Sequence, residues 1–246
     1  MTEYTPPALI LRSLLSGALL CHSFDVTVIG QDDFTDDGGI AGKLTSLAQV
    51  TNCSTSSEAL LENTAEGNWI WIGGIAGEAQ GATFRGCTNK GSVRNSGNSV
   101  FSSSTANADI SVGGIVGTIS STGTTLTSCS NEGNISVTGT NSGSSYYDMG
   151  GILGLGLDCG TDISSCRANC TISFTGIGND RPGMAFARIL AKGSASCTIQ
   201  STGVAGTIKG IPLTSSNWNT IYFLYAVAEG NTTVVTEGPN SCYFIQ

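Results

Sequence analysis

Residues 112–139 read VGGIVGTISSTGTTLTSCSNEGNISVTG, and the chain contains several similar stretches. The pattern of Gly-Gly-Ile, a small residue and Gly begins at four positions: Gly38, Gly73, Gly113 and Gly150. A cysteine follows each pattern isoleucine after 12 to 14 residues, and a polar segment comes next. Short apolar segments separated by Gly, Asn and Ser are typical of β-strands joined by turns. Because the pattern recurs every 35 to 40 residues, it indicates a repeat fold built from strands.

The repeat predicts an all-β fold, a right-handed parallel β-solenoid or β-helix of about six or seven units. Each unit has about three apolar segments, which favours one solenoid coil over the four-stranded blade of a propeller. The right hand is the usual one for such folds. We expect a degenerate fifth copy at residues 187–191, centred on Ile189, and a final copy at Ala226.

The whole chain, residues 1–246, is predicted to be one domain. Residues 1–37 form a degenerate first unit or cap in this interpretation, residues 38–210 the regular repeats, and residues 211–246 a last unit or cap. The apolar residues 8–21 are interrupted by Arg12 and are too short to span a bilayer. No signal peptide is recognisable in them, so we assign them to the fold, with a capping helix as the alternative.

The cysteines follow the same repeat. We expect most to stack as buried free thiols, because cysteine packs as a small apolar residue. The predicted series is Cys21, Cys53, Cys87, Cys129, Cys166, Cys197 and Cys242. Two further cysteines, Cys159 and Cys170, break the repeat within one unit and are the candidates for a disulfide, with free thiols as the alternative.

Composition disfavours several function classes. The formal net charge is −8 and the ten basic residues are scattered, which argues against nucleic-acid binding and against an anionic membrane surface. The chain has one histidine and no cysteine spacing typical of zinc sites, so we expect neither a metal site nor a cofactor. No Ser/His/Asp set or Gly-x-Ser-x-Gly nucleophile motif is recognisable, which argues against the usual catalytic triads.

The segments VGGIVG…LTSCSNEGNISVTG and IGGIAG…FRGCTNKGSVRNSG resemble GLUG-motif repeats of bacterial surface proteins. The resemblance extends over about residues 38–210. It implies a secreted or cell-surface location, a β-helical stalk or adhesin-like role, and no catalytic residues within the repeat. It also implies that the chain is part of a larger surface protein.

Parallel β-helices also include enzymes that act on polysaccharides, which need carboxylates from several coils to converge. The densest acidic group is formed by Asp32, Asp33, Asp36 and Asp37. Its spacing does not fit a calcium-binding loop, so we interpret it as a solvated turn. A lyase or hydrolase of this kind remains the alternative function.

Aromatic residues supply the remaining signal for binding. In NWIWIGGI the isoleucines are expected to face the core, so that Trp69 and Trp71 point outward. In register, Trp69 aligns with Tyr146 two units later, and Trp71 aligns with Asp148. An outward column of Trp69, Trp71, Tyr146 and Asp148 would suit stacking against sugar rings. Alternatively, the long loops between units cover these rings.

The sequence therefore predicts a non-enzymatic, secreted or cell-surface module that binds a partner or acts as a spacer. The expected partner is a glycan, or a protein on a host or neighbouring cell. No nucleic-acid binding and no membrane insertion are expected. A purely structural stalk without a ligand is the third possibility.

Overall fold

The computed structural model describes most of the chain as β-strands and turns, and the described residues contain no helix. None of them therefore belongs to a helix long and apolar enough to cross a membrane. The described residues are 18–20, 34–46, 48–64, 66–67, 69–97, 109–139, 146–157, 160, 162–176, 180–191, 194–220 and 224–246.

The strands form four sheets that the chain visits in a fixed order. One coil runs through Trp69–Gly73, Ala76–Gln80 and Thr83–Arg85, and then through the short strand Thr88–Asn89 and the strand Ser92–Asn95. The chain then enters the first sheet again, one coil further along. Each strand pairs in parallel with its equivalent in the neighbouring coil.

The first two sheets of each coil meet at the Gly-Gly-Ile segment. The five-stranded sheet contains Phe34–Gly38, Trp69–Gly73, Asp109–Gly113, Tyr146–Gly150 and Asp180–Gly183. The six-stranded sheet contains Ala41–Leu44, Ala76–Gln80, Val116–Ser121, Leu153–Leu157, Phe186–Ala191 and Tyr225–Gly230.

The other two sheets meet at the cysteine. The seven-stranded sheet contains Ala18–Leu20, Gln49–Thr51, Thr83–Arg85, Thr125–Thr127, Asp162–Ser164, Cys197–Gln200 and Thr232–Val234. The nine-stranded sheet contains Leu60–Asn63, Thr88–Asn89, Ser92–Asn95, Ser130–Asn131, Ile135–Thr138, Arg167–Thr175, Gly203–Ile208, Ile211–Pro212 and Tyr243–Phe244.

These parallel ladders confirm the predicted all-β solenoid, which has about five turns in the described residues. Equivalent residues stack in columns through its core. Ile75, Ile115 and Ile152 form one such column, and all three are fully buried. The backbone nitrogen of each donates to the backbone oxygen of the equivalent residue in the next coil, at 3.0 Å for Ile75 and Ile115.

The fifth and sixth copies lie at other residues than predicted. Gly183 pairs with Gly150, so Ala185 and not Ile189 continues the isoleucine column. The backbone of Ala185 bonds in turn to Leu224, two residues before the predicted Ala226. The prediction was wrong because it assumed a constant step of 37 residues, whereas the column advances by 33 residues from Ile152 to Ala185 and by 39 from Ala185 to Leu224. The glycine pattern is reduced to Gly183 in the fifth copy and is absent from the sixth.

The cysteine column is confirmed for Cys53, Cys87, Cys129 and Cys166, which are fully buried and whose backbones bond from coil to coil. The next position is Thr202, followed by Cys242. The assignment of Cys197 to this column was wrong, because Cys197 pairs with Thr232 within the seven-stranded sheet. The other column candidate, Cys21, lies outside the described residues.

The first coil includes part of the N-terminal segment. Ala18–Leu20 pairs in parallel with Gln49–Thr51, so these three residues belong to the sheet and not to a capping helix. Asp36 and Asp37 lie within the strand Phe34–Gly38, and Asp37 is buried. The predicted solvated turn is therefore wrong for both, because the residues before Gly38 form the same strand that precedes the glycines of the next copy.

Cys170, one half of the predicted disulfide, is buried, and its Sγ lies 3.6 Å from the Sδ of Met184. Its predicted partner Cys159 lies outside the described residues. The pairing stays a prediction. Asp32 and Asp33 of the acidic group also lie outside the described residues.

Candidate binding site at the glycine corner

The Gly-Gly-Ile segment makes a corner that leaves no room for a side chain. A Cβ added to Gly113 would lie 2.6 Å from the carbonyl carbon of Val116, three residues later in the same corner, and even closer to its oxygen. The equivalent Gly73, Gly150 and Gly183 meet the same obstruction. Glycine is therefore required at this position by the corner's own backbone.

The second glycine of the pattern packs against a ladder of asparagines. A Cβ on Gly74 would lie 2.7 Å from the Nδ2 of Asn89. In the ladder, Thr55 Oγ1 donates to Asn89 Oδ1 at 2.5 Å, and Asn89 Nδ2 donates to Asn131 Oδ1 at 2.7 Å. Both asparagines are buried, and their hydrogen bonds connect three coils. Fully satisfied buried amides of this kind fix the relative position of neighbouring strands.

A third glycine brings the five-stranded and six-stranded sheets into backbone contact. A Cβ on Gly77 would lie 2.6 Å from the backbone nitrogen of Asp37, and one on Gly117 would lie 2.6 Å from that of Ile72. The two sheets therefore lie one against the other beside the corner. Side chains next to these glycines are enclosed between them.

Residues seven positions apart lie on the two sheets at each corner, and we call the set of five pairs the corner seam. Within each sheet its members are register partners from coil to coil. The pairs are Asp36 with Lys43, Trp71 with Glu78, Ser111 with Thr118, Asp148 with Leu155, and Arg181 with Arg188.

The N-terminal end of the corner seam is acidic. Glu78 is buried, forms an ion pair with Lys43, and accepts hydrogen bonds from Ser120 and from Gln80 Nε2, the latter at 2.7 Å. Burial, together with the charge of Glu78, raises the pKa of Asp36 from its ordinary value of 3.8 to about 7, and the charge of Lys43 opposes the shift. The two sheets are therefore in electrostatic contact across the seam.

The C-terminal end of the corner seam is basic. The guanidinium of Arg181 lies 3.5 Å from the ring centroid of Tyr146, and its Nη1 lies 3.7 Å from the Oδ1 of Asp148. Arg188 Nη2 lies 3.7 Å from the Oε2 of Glu229. Both arginine side chains are 18% exposed. The buried Nη1 of Arg181 and Nε of Arg188 have no hydrogen-bond acceptor.

The predicted register of the four candidate residues is confirmed, but their predicted exposure is not. Trp71 pairs with Ser111, and Ser111 pairs with Asp148. Tyr146 pairs with Asp109, at the register position of Trp69. Trp71 is 7% exposed and Asp148 is fully buried, so neither points outward into solvent as predicted. The six-stranded sheet packs on the face that they share. Trp69 and Tyr146, two residues further from the corner, are partly exposed.

Sequence reasoning missed the opposite side of the seam. Glu78, Thr118 and Arg188 each lie seven residues after their partner on the five-stranded sheet, across a glycine corner. This constant spacing is the signal that could have identified them. It was not recognised because strand alternation assigns a face to each residue and says nothing of which sheet covers that face.

The thiol column offers little reactivity. The hydrogen bond to the side chain of Cys166 and burial together raise the pKa of Cys129 to about 12, and burial raises that of Cys170 to about 12. Neutral thiols are poor nucleophiles and poor metal ligands. Within the part of the chain that the structure describes, no group of three or more His, Cys, Asp or Glu is placed to hold a metal ion.

Comparisons with known proteins identify no relatives. The chain matches no protein-family model, no curated protein and no solved structure at a significant level.

Proposed function

We propose that this protein is a non-enzymatic binding or spacer module of a secreted or cell-surface protein, and that it binds glycan. We also propose that the solenoid is right-handed, comprises six or seven units and belongs with the GLUG-type surface repeats. The observation that carries the proposal is the aromatic edge, which consists of the partly exposed Trp69 and Tyr146. The resemblance of the repeats is what supports a bacterial cell-surface location.

The two rings of the aromatic edge are spaced in a way that suits a ligand with a repeating structure. Trp69 and Tyr146 occupy equivalent strand positions two coils apart, which corresponds to about 10 Å along the solenoid. Rings that are partly exposed, and spaced by about two sugar units, can stack against successive residues of an extended glycan.

The scaffold beneath this edge supports such a role. The corner glycines and the asparagine ladder fix each coil relative to the next, so that the rings keep a constant spacing. The ring centroids of Trp71 and Trp69 are 6.3 Å apart, and the interplanar angle is 71°, so Trp71 supports the ring of Trp69 in an edge-to-face contact. A rigid platform of this kind loses little conformational entropy when a ligand binds.

The test is a glycan array with the wild-type protein and the variants Trp69→Ala and Tyr146→Ala. We expect binding by the wild type and a loss of tenfold or more in each variant, because truncating an aromatic side chain at the centre of a binding surface costs about 2 kcal/mol or more. Tyr243→Ala is the matched control, since Tyr243 is an exposed tyrosine on the nine-stranded sheet. Circular dichroism verifies that each variant is folded.

Two results would contradict the proposal. The first is wild-type protein that binds no glycan, which would favour a stalk without a ligand. The second is an equal loss in Tyr243→Ala, which would place the binding surface elsewhere. Turnover of a bound polysaccharide by the wild type would favour the alternative of a lyase or hydrolase.

A further inference from the structure

Glu78, at the acidic end of the corner seam, is held between two hydrogen-bond donors and one amine. Its Oε1 accepts hydrogen bonds from Gln80 Nε2, at 2.7 Å, and from Ser120 Oγ of the next coil. Its Oε2 contacts the Nζ of Lys43, its register partner in the preceding coil. The Glu78 side chain is 2% exposed, so groups of the protein and not solvent surround this carboxyl.

A buried ion pair of lysine and glutamate contains the two partners of an amide bond. Taking two charges out of water is costly, and transfer of one proton from Lys43 to Glu78 removes both charges. The products are a neutral amine and a neutral carboxylic acid, which are the forms that react to give an amide. Because Nζ already contacts Oε2, the two groups meet without any movement of the backbone.

The groups around this pair fit the steps of such a reaction. Attack of an amine on a carboxyl carbon places negative charge on one oxygen, and both donors are aimed at Oε1. Asp36 is near enough for the charges of Glu78 and Lys43 to act on its carboxyl, whose pKa is raised to about 7. A group with such a pKa accepts and releases a proton readily at neutral pH. Burial is the largest cause of the raised pKa and does not depend on the two charges.

We propose that Lys43 and Glu78 join in an amide bond, an intramolecular cross-link between two neighbouring coils. The bond from Lys43 Nζ to Glu78 Cδ forms, and the bond from Cδ to Oε2 breaks. Oε2 leaves as water with two protons from the Lys43 ammonium, one of them relayed by Asp36. The reaction takes place within the folded chain and needs no further reactant. The inference does not depend on glycan binding.

The surroundings of the pair also favour the linked product. The Lys43 side chain is 36% exposed, so the released water has a way out, whereas the carboxyl side is shielded from water that would hydrolyse the bond. The link closes a loop from residue 43 to residue 78, which restricts the unfolded chain and so stabilises the folded one.

Mass spectrometry of the full-length protein, unfolded after purification, tests the inference. We expect the wild type to be lighter than its sequence mass by one water molecule. Trypsin does not cleave after a lysine whose amine is in an amide bond, so residues 13–85 should remain one peptide instead of giving 13–43 and 44–85. Fragmentation of that peptide should place the link between Lys43 and Glu78, which distinguishes it from a loss of water by cyclisation at Asp37.

Lys43→Arg keeps the positive charge but supplies no amine for the bond, so it should have its full sequence mass and a lower unfolding midpoint. Lys90→Arg is the matched control, because Lys90 is exposed and lies outside the seam, and it should lose one water as the wild type does. Asp36→Asn keeps the side-chain shape and removes the proton carrier. It should be mostly unlinked where the wild type is fully linked, because general acid–base catalysis contributes about 100-fold or more.

A wild type that has its full sequence mass, and that trypsin cuts into residues 13–43 and 44–85, would overturn the inference. A loss of water that persists in Lys43→Arg would also overturn it, since the bond would then lie elsewhere. A fully linked Asp36→Asn would overturn the role of Asp36 as proton carrier, while the bond itself would stand.

Discussion

The coil that begins at Trp69 and the coil that begins at Asp180 follow the same path with different residues. The earlier coil has two glycines at its corner, Gly73 and Gly74, whereas the later coil has one, Gly183, followed by Met184. The cysteine of the earlier coil is replaced by threonine in the later one. The comparison distinguishes positions at which the backbone of the corner itself requires glycine from positions at which only the neighbouring coils require it.

The first glycine is required by the corner itself. A Cβ on Gly73 would meet Ala76 and one on Gly183 would meet Phe186, each within its own coil. The second glycine is required by the coil's neighbours, because it packs against the asparagine ladder. The ladder ends at Asn131, since Ala168 and Val204 occupy the next positions. Methionine is accommodated beyond its end.

The largest effect is expected for the first glycine. Gly113→Ala should lower the free energy of unfolding by about 3 kcal/mol or more, because the methyl group collides with backbone that cannot move without opening the corner. Gly183→Ala should cost a similar amount, although its coil is the less regular one. Denaturant unfolding followed by circular dichroism measures both.

Gly160→Ala is the control for both variants, because a Cβ there would make only ordinary contacts at 3.4 Å or more. We expect it to change stability by less than about 0.5 kcal/mol. If Gly183→Ala were tolerated and Gly113→Ala were not, the corner would be constrained by the coils on either side and not by its own geometry.

The same distinction explains what the sequence could predict. Features that repeat within each coil were readable, including the parallel stacking of the coils, the corner at Gly113 and the register of Trp71 with Asp148. The number of strands was not, because about three segments were predicted for each unit and the chain passes through four sheets. The burial of Trp71 could not be predicted from the sequence, because it depends on the six-stranded sheet, which packs on the face that Trp71 occupies. The asparagine ladder was visible as the repeated Cys-x-Asn of residues 87–89 and 129–131, but its meaning depends on contacts between coils.

One further local feature escaped the sequence reading. The residue before each of the four consecutive column cysteines adopts a left-handed backbone, with φ of 54° at Asn52, 64° at Gly86, 55° at Ser128 and 56° at Ser165. Asn, Gly and Ser are common before a sharp bend, so they did not stand out among the many turn residues of this chain. The chain bends there between the seven-stranded and nine-stranded sheets.

A smaller effect is expected when a regular coil is made to resemble an irregular one. Asn131→Ala copies Ala168 of the following coil and removes the acceptor of the 2.7 Å bond from Asn89. We expect a loss of about 2 kcal/mol, because Asn89 Nδ2 is buried and would retain only its bond to Gly91 O. Thermal or denaturant unfolding measures the loss.

Asn169→Ala provides the comparison, since Asn169 is exposed on the outer face of its strand. Its loss should stay below about 0.5 kcal/mol. A neutral result for Asn131→Ala would mean that the ladder adds nothing that apolar packing does not supply. The difference between regular and irregular coils would then lie in the glycines alone.

The two ends of the corner seam differ in charge, and the acidic end should respond to pH. Asp36 has a pKa raised to about 7, chiefly by burial and then by the charge of Glu78. The folded state therefore holds this proton more tightly than the unfolded state does. The stabilisation is complete below about pH 4 and is lost as the pH rises through about 7.

Asp36→Asn keeps the shape of the side chain and removes the ionisation, so its stability should vary less between pH 5 and pH 8 than that of the wild type. The expected difference is on the order of 1 kcal/mol, because a half-buried carboxyl stays partly screened by solvent. Asp162→Asn, at an exposed aspartate on the seven-stranded sheet, should leave the wild-type pH dependence unchanged. Parallel pH profiles for Asp36→Asn and the wild type would show that Asp36 ionises as freely in the folded coil as in the unfolded chain, and that the two sheets do not enclose it.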